Sequence, residues 1–129
     1  MNDKIHFVGR LDREIFKVVT EDIQTDEVII TEERISHIKV RHPNDYERYF
    51  GYIKAIIENP DYILEANKPD SALLLKSFED NGKNYKIVLR LKTSLDPEEY
   101  KNSIISFQKV ENDRYRRYRN SKKVLYKRE

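Results

Sequence analysis

The sequence predicts a single α+β domain, and three patterns carry that expectation. Tyr46, Tyr49, Phe50, Ile53, Ile56 and Ile57 recur at helical spacing, the clearest periodicity in the chain. After Pro60 the character changes to β-forming runs at 62–66, 72–78, 84–92 and 104–110. Between the second and third runs stands Asp80-Asn81-Gly82, a hairpin signal because Asn-Gly readily takes the positive φ such turns need. Two helices packed on an antiparallel sheet of four to five strands is the economical architecture.

At the N-terminus, residues 5–11 and 15–20 read as a hairpin about the charged Asp12-Arg13-Glu14 turn, since Ile5, Phe7, Val8, Ile15, Phe16, Val18 and Val19 are β-formers. Val28-Ile29-Ile30 is another short strand. Thr31, with Glu32 and Glu33 behind it, marks the start of a helix over 32–41, the hydroxyl acting as N-cap and the acids favouring the positive end of the helix dipole. Pro43 biases His42 away from α geometry, so the helix stops there. Asn44 caps the second helix, with Glu47 placed as in a capping box, and Asn59-Pro60 ends it. Asp113 to Asn120 reads as a short basic helix, and Val124-Leu125-Tyr126 as a terminal strand. No linker or repeat divides the chain, so residues 1–129 form one domain, with a hairpin extension at 1–27 and a core at 28–126.

A chain of 129 residues can bury roughly two thirds of the surface its unfolded form exposes, enough for a core without staples. Charged residues make up 37%, but nine tyrosines and five phenylalanines argue for a folded domain. The absence of cysteine excludes disulfides and thiolate metal sites and fits a reducing compartment. No apolar signal region follows Met1, and no apolar run is long enough to span a bilayer, so a cytoplasmic protein without membrane association is expected. Net charge is only +2, yet residues 1–33 carry four Lys/Arg against nine Asp/Glu, and residues 111–129 carry eight against three. An acidic head and a basic tail permit polyanion binding at one end, or serve only solubility.

Two stretches hold the groups best suited to phosphodiester chemistry. In Ser36 to Pro43, taking 100° per residue, Arg34, His37 and Arg41 fall within a sector of about 60°, away from Ile35 and Ile38. If the two isoleucines face the core, His37 stands exposed between guanidiniums, as a general base or as part of a solvated charged face. His42 is either a satisfied core histidine or a general acid at the helix end; His6 has no basic or hydroxyl companion and reads as structural. In Leu89 to Ser94, period two places Arg90 and Lys92 on one face, with Thr93 and Ser94 just beyond, a candidate phosphate-binding group or an ordinary solvent face. The tail interleaves Arg114, Arg116, Arg117 and Arg119 with Tyr115 and Tyr118, a set suited to base stacking and phosphate pairing unless one tyrosine faces the core. Classical metal and nucleotide motifs are missing from the sequence, so neither a metal nor a cofactor is expected.

Taken together, His37-Ile38-Lys39-Val40-Arg41-His42-Pro43, the Asn59 to Ile63 opening of the sheet, the Asn-Gly hairpin, Leu89 to Ser94 and the late Tyr/Arg segment resemble the phage-associated nucleases grouped with barnase, EndoU, the tRNase colicins and RelE, known as the BECR fold. The likeness spans roughly residues 28–126. It implies a metal-independent endoribonuclease that leaves 2′,3′-cyclic phosphate ends, with His37, Arg41, His42, Arg90, Lys92, Thr93, Ser94 and Tyr115 as catalytic candidates. Arg34, Arg114, Arg116, Arg117 and Arg119 are the expected RNA contacts. It further implies an RNA partner (tRNA, mRNA or rRNA), an inhibitor or immunity protein, and a toxin-like or phage-associated role. Two other classes fit the same basic faces: a nucleic-acid-binding protein without turnover, and a protein-interaction module joined through its acidic head and basic tail.

Overall fold

A computed structural model describes residues 4–41, 46–80 and 82–128. Its framework is one seven-stranded sheet in the order β1-β2-β6-β5-β4-β3-β7. The strands are β1 (Ile5–Arg10), β2 (Glu27–Thr31), β3 (Tyr62–Glu65), β4 (Ser71–Phe78), β5 (Lys83–Arg90), β6 (Asn102–Val110) and β7 (Val124–Lys127). The helices are α1 (Arg13–Phe16), α2 (Glu32–Arg41), α3 (Tyr46–Glu58) and α4 (Asn112–Ser121). All neighbouring strands run antiparallel except β2 and β6.

Strand alternation explains why both faces of the sheet are covered. Ala72 and Leu74 of β4, with Tyr85, Ile87 and Leu89 of β5, enter the main core beneath α2 and α3, which contribute Ile35, Ile38, Tyr52, Ile53, Ile56 and Ile57. The intervening Leu73 and Leu75 face the opposite side, where they meet Leu64, Val110 and Tyr115 of α4. Much of the tyrosine content belongs to the main core: Tyr85 stacks on Phe107 with ring centroids 5.3 Å apart and planes 8° from parallel, and Tyr52 stacks on Tyr85 at 5.3 Å. Gly82, at φ 65°, serves the turn between β4 and β5, and its N–H donates to the Phe78 carbonyl at 2.9 Å.

The predicted helix over 32–41 and the strands after Pro60 stand within a residue or two of their expected positions. The N-terminal hairpin does not form. β1 pairs with β2, joining Ile5 to Thr31 and Arg10 to Glu27, and residues 13–16 are helical. Asp12 accounts for that helix: its carboxylate accepts from the Glu14 N–H at 2.9 Å. Leu11, Phe16 and Ile23 are buried in the main core, so residues 8–30 share the packing of the rest. The sheet therefore has seven strands rather than four or five, because β1 and β2 extend one side and β7 the other. Among the described residues no helix is long and apolar enough to cross a membrane.

One junction positions the candidate site. The parallel pairing of β2 with β6 lasts only for Val28 with Asn102 and Ile29 with Ser103. The chain then leaves β2 for α2, and beyond Ser103 no strand pairs with that edge of β6 among the described residues. Asn102, fully buried, clamps the junction: its Nδ2 donates to the carbonyls of Thr25 at 2.7 Å and Glu27 at 3.0 Å, and its Oδ1 accepts from the Lys92 N–H at 2.8 Å.

Candidate active site

Helix α2 begins as its sequence dictates. The Thr31 hydroxyl accepts from the Arg34 N–H at 3.3 Å, Glu32 and Glu33 occupy the first turn, and Lys39 and Arg41 the last. Ile35 and Ile38 are buried, which turns the other side of the helix toward the open edge of β6. Arg34, His37 and Arg41 line a cavity there of about 140 Å³, completed by Ile38 and the segment Ile104 to Gln108 of β6, with Ile30 beneath. None of these three side chains is held by a hydrogen bond or ion pair among the described residues. The cavity thus presents two guanidiniums and an imidazole against the open edge of β6. Such a set can bind a phosphate through charge-assisted hydrogen bonds and exchange a proton beside it.

Ser106 and Gln108 were not expected from the sequence. They stand in a β-forming run, and nothing local in that run says that its edge will be left open. Their one sequence signal is polarity at alternate positions in a strand that is otherwise apolar on one side. His42 lies outside the described residues.

The other expected site residues lie elsewhere. Arg90 ends β5 on the sheet face that carries α4, and its guanidinium donates to Asp96 Oδ1 at 2.7 Å. That bond raises the Arg90 pKa and lowers that of Asp96. Lys92 is buried just beyond the strand and lines no part of the His37 cavity. Both hydroxyls after it are engaged. The Thr93 N–H and Oγ1 approach Asp96 Oδ2 at 2.9 and 3.4 Å, and the Ser94 Oγ donates to Asp22 Oδ2 at 2.6 Å, holding the Asp22 carboxyl below its ordinary value. These groups close a turn instead of presenting a phosphate site beside His37.

Tyr115 is the core-facing tyrosine of α4; burial pushes its phenol up, against an opposing hydrogen bond with Ser77. Tyr118 is half-buried and accepts from Lys86 Nζ at 2.9 Å, which lowers its pKa. Arg119 lies 5.3 Å from the ring centres of both Tyr62 and Tyr115 and donates to the Tyr62 hydroxyl at 2.9 Å, so it serves the packing of α4 on the sheet. Arg114, Arg116 and Arg117 are exposed on the outside of that helix, Arg116 near Asp113 at 3.8 Å. The sequence-predicted set therefore divides: Arg34, His37 and Arg41 converge, while Arg90 and Tyr115 belong to the opposite face of the sheet.

The family model described as phage-Barnase-EndoU-ColicinE5/D-RelE like nuclease2 matches residues 4–127. The match includes β1 and α1, which a likeness confined to 28–126 leaves out. No curated protein and no solved structure matches the chain. The match spans nearly the whole sequence, and the chain belongs to this family of phage-associated nucleases.

Proposed function

We propose that this nuclease is an endoribonuclease that works by attack of a ribose 2′-hydroxyl, and that the α2–β6 cavity is its active site. The observation that carries the reading is the convergence of Arg34, His37 and Arg41 on one opening at the edge of β6. A volume of about 140 Å³ suits a phosphate group, whereas clefts for whole small-molecule ligands run to roughly 300–1,000 Å³. The polymer then lies outside, with one phosphate seated.

In this reading the His37 imidazole takes the proton of the 2′-hydroxyl as the oxygen attacks the adjacent phosphorus. The 2′-O–P bond forms and the P–O5′ bond breaks. Arg34 and Arg41 stabilise the negative charge that accumulates on the phosphorane oxygens. The leaving 5′-oxygen takes a proton from a general acid, for which His42, next in the chain after Arg41, is the candidate. The products are a 2′,3′-cyclic phosphate and a free 5′-hydroxyl, and DNA is resistant because it lacks the nucleophile.

The test is incubation of purified protein with mixed cellular RNA in EDTA, with His37→Ala in parallel and fragment ends assayed for cyclic phosphate. A general base contributes on the order of 10²- to 10⁴-fold, so His37→Ala should lose rate by that factor while RNA affinity holds. His37 is exposed, and its removal should leave thermal stability within about 0.5 kcal/mol. Equal loss of affinity and rate, or cleavage undiminished in the variant, would sink the assignment.

A further inference from the structure

The opposite face of the sheet holds a second, larger cleft of about 610 Å³, to which no role has been given. Its floor is apolar, formed by Leu73, Val88 and Ile105. Its walls carry Lys68, Lys86 and Lys122, with the half-buried ring of Tyr118. Lys86 Nζ lies 5.0 Å from the centre of that ring, and Lys122 Nζ reaches Asn67 Oδ1 at 3.3 Å, which sets ammonium groups around an apolar base-sized floor. Arg90 also borders the cleft, with its charge matched by Asp96.

This cleft and the His37 cavity share one lining residue, Ile105. Between β5 and β6 the register runs from Val88 opposite Ser106 to Leu89 opposite Ile104, so Ile105 has no partner across the ladder. That is the geometry of a bulge, where one extra residue bends the strand and re-aims its neighbours. A strand seated in the α2 cavity would round the unpaired edge of β6 at Ile105 to reach the lysine-lined cleft.

We propose that this cleft binds single-stranded RNA flanking the scissile phosphate, one or two nucleotides with bases against the apolar floor and phosphates toward the lysines. The proposal rests on the α2 cavity as the cleavage site. An apolar floor with cations at the rim complements an unstacked base joined to phosphates. A duplex keeps its bases inside and cannot fill it.

The experiment separates the two readings by measuring binding without turnover. The probe is a fluorescein-labelled 2′-O-methyl uridine octamer, which lacks the nucleophile, titrated by anisotropy from 50 to 200 mM salt. Removing two phosphate contacts with Lys68→Gln/Lys122→Gln should lower the slope of log K against log salt by about 1.4, at roughly 0.7 per contact on single strands. The control is Lys123→Gln/Lys127→Gln, which removes equal charge from residues outside the cleft. A change confined to the first pair supports the cleft; no change, or the same change in both pairs, overturns it. In cleavage assays the first pair should raise KM for octauridylate and leave the dinucleotide UpU unaffected. If the wild type cleaves neither RNA, the active-site reading fails, and the anisotropy result still decides the cleft.

Discussion

Replacing Asn102 by alanine should destabilise the protein by about 3–5 kcal/mol. The side chain is fully buried and makes three hydrogen bonds, donating to two carbonyls and accepting from one N–H. Alanine leaves all three backbone groups without that partner, and a buried polar group stripped of its bond costs roughly 1–3 kcal/mol. The two carbonyls keep a second lone pair and fall near the lower limit; the Lys92 N–H, with a single proton to donate, falls near the upper one. For a domain of this size, at roughly 4 °C per kcal/mol, the loss amounts to a fall in Tm of about 12–20 °C. Urea denaturation followed by circular dichroism measures it directly. Asn102→Asp separates the contributions, since it keeps the acceptor for Lys92 but faces two carbonyls with a buried carboxylate; it should be at least as damaging as alanine. A loss under about 1 kcal/mol for Asn102→Ala would refute the clamp.

Two further outcomes follow from ionisable groups. The carboxyls of Asp22 and Asp96 are held below their ordinary values, Asp22 by the Ser94 hydroxyl and Asp96 by Arg90. Their contribution to stability is present above about pH 4, where unfolded carboxyls are ionised, and is lost as pH falls through the lower folded values. Asp22→Asn/Asp96→Asn should therefore flatten the acid limb of the urea midpoint between pH 5 and 2, and parallel limbs would contradict the assignment. Tyr118 should ionise below, and Tyr115 above, the ordinary tyrosine value of about 10, because Lys86 donates to one phenol and burial dominates the other. Carbon NMR of labelled tyrosine rings reads both, and Lys86→Met should return Tyr118 toward the ordinary value; coincident titration of the two rings would rule out the opposed environments.

What could be read from the sequence was what neighbouring residues decide among themselves. Helix α2 runs from Glu32 to Arg41 as expected, since its cap, its first-turn acids and its buried Ile35 and Ile38 lie within ten residues of one another. The β4–β5 hairpin was equally visible, because its turn contains Gly82. The β-forming character of 15–20 predicts a strand where none stands; Phe16 is fully buried in the main core, so its apolar character serves packing and not strand pairing. β1 could not be matched to β2 from its own residues, since Ile5 meets Thr31 across an intervening helix and loop. For the site, helical periodicity revealed the Arg34, His37 and Arg41 face. It could not reveal the open edge of β6, which borders that face only through a sheet junction. Thr93 and Ser94 read from the sequence as a candidate phosphate-binding group or an ordinary solvent face; the bond from Ser94 to Asp22 spans 72 positions and has no local trace.

A closed sheet would leave no cavity at α2. If β2 continued along β6, backbone hydrogen bonds would occupy the edge from Ile104 to Gln108 that borders the cavity. The parallel pairing stops after two residues as the chain turns into a helix at Thr31, and the three hydrogen bonds of Asn102 tie the junction together. The same turn fixes where the imidazole goes. His37 lies five residues after the helix begins, on the side opposed to neither isoleucine's burial nor the solvent alone, but facing the opened edge. The fold thus makes its concave site by ending a pairing early instead of by adding a loop. On that account, lengthening the β2–β6 pairing would abolish the cavity without touching any residue that lines it.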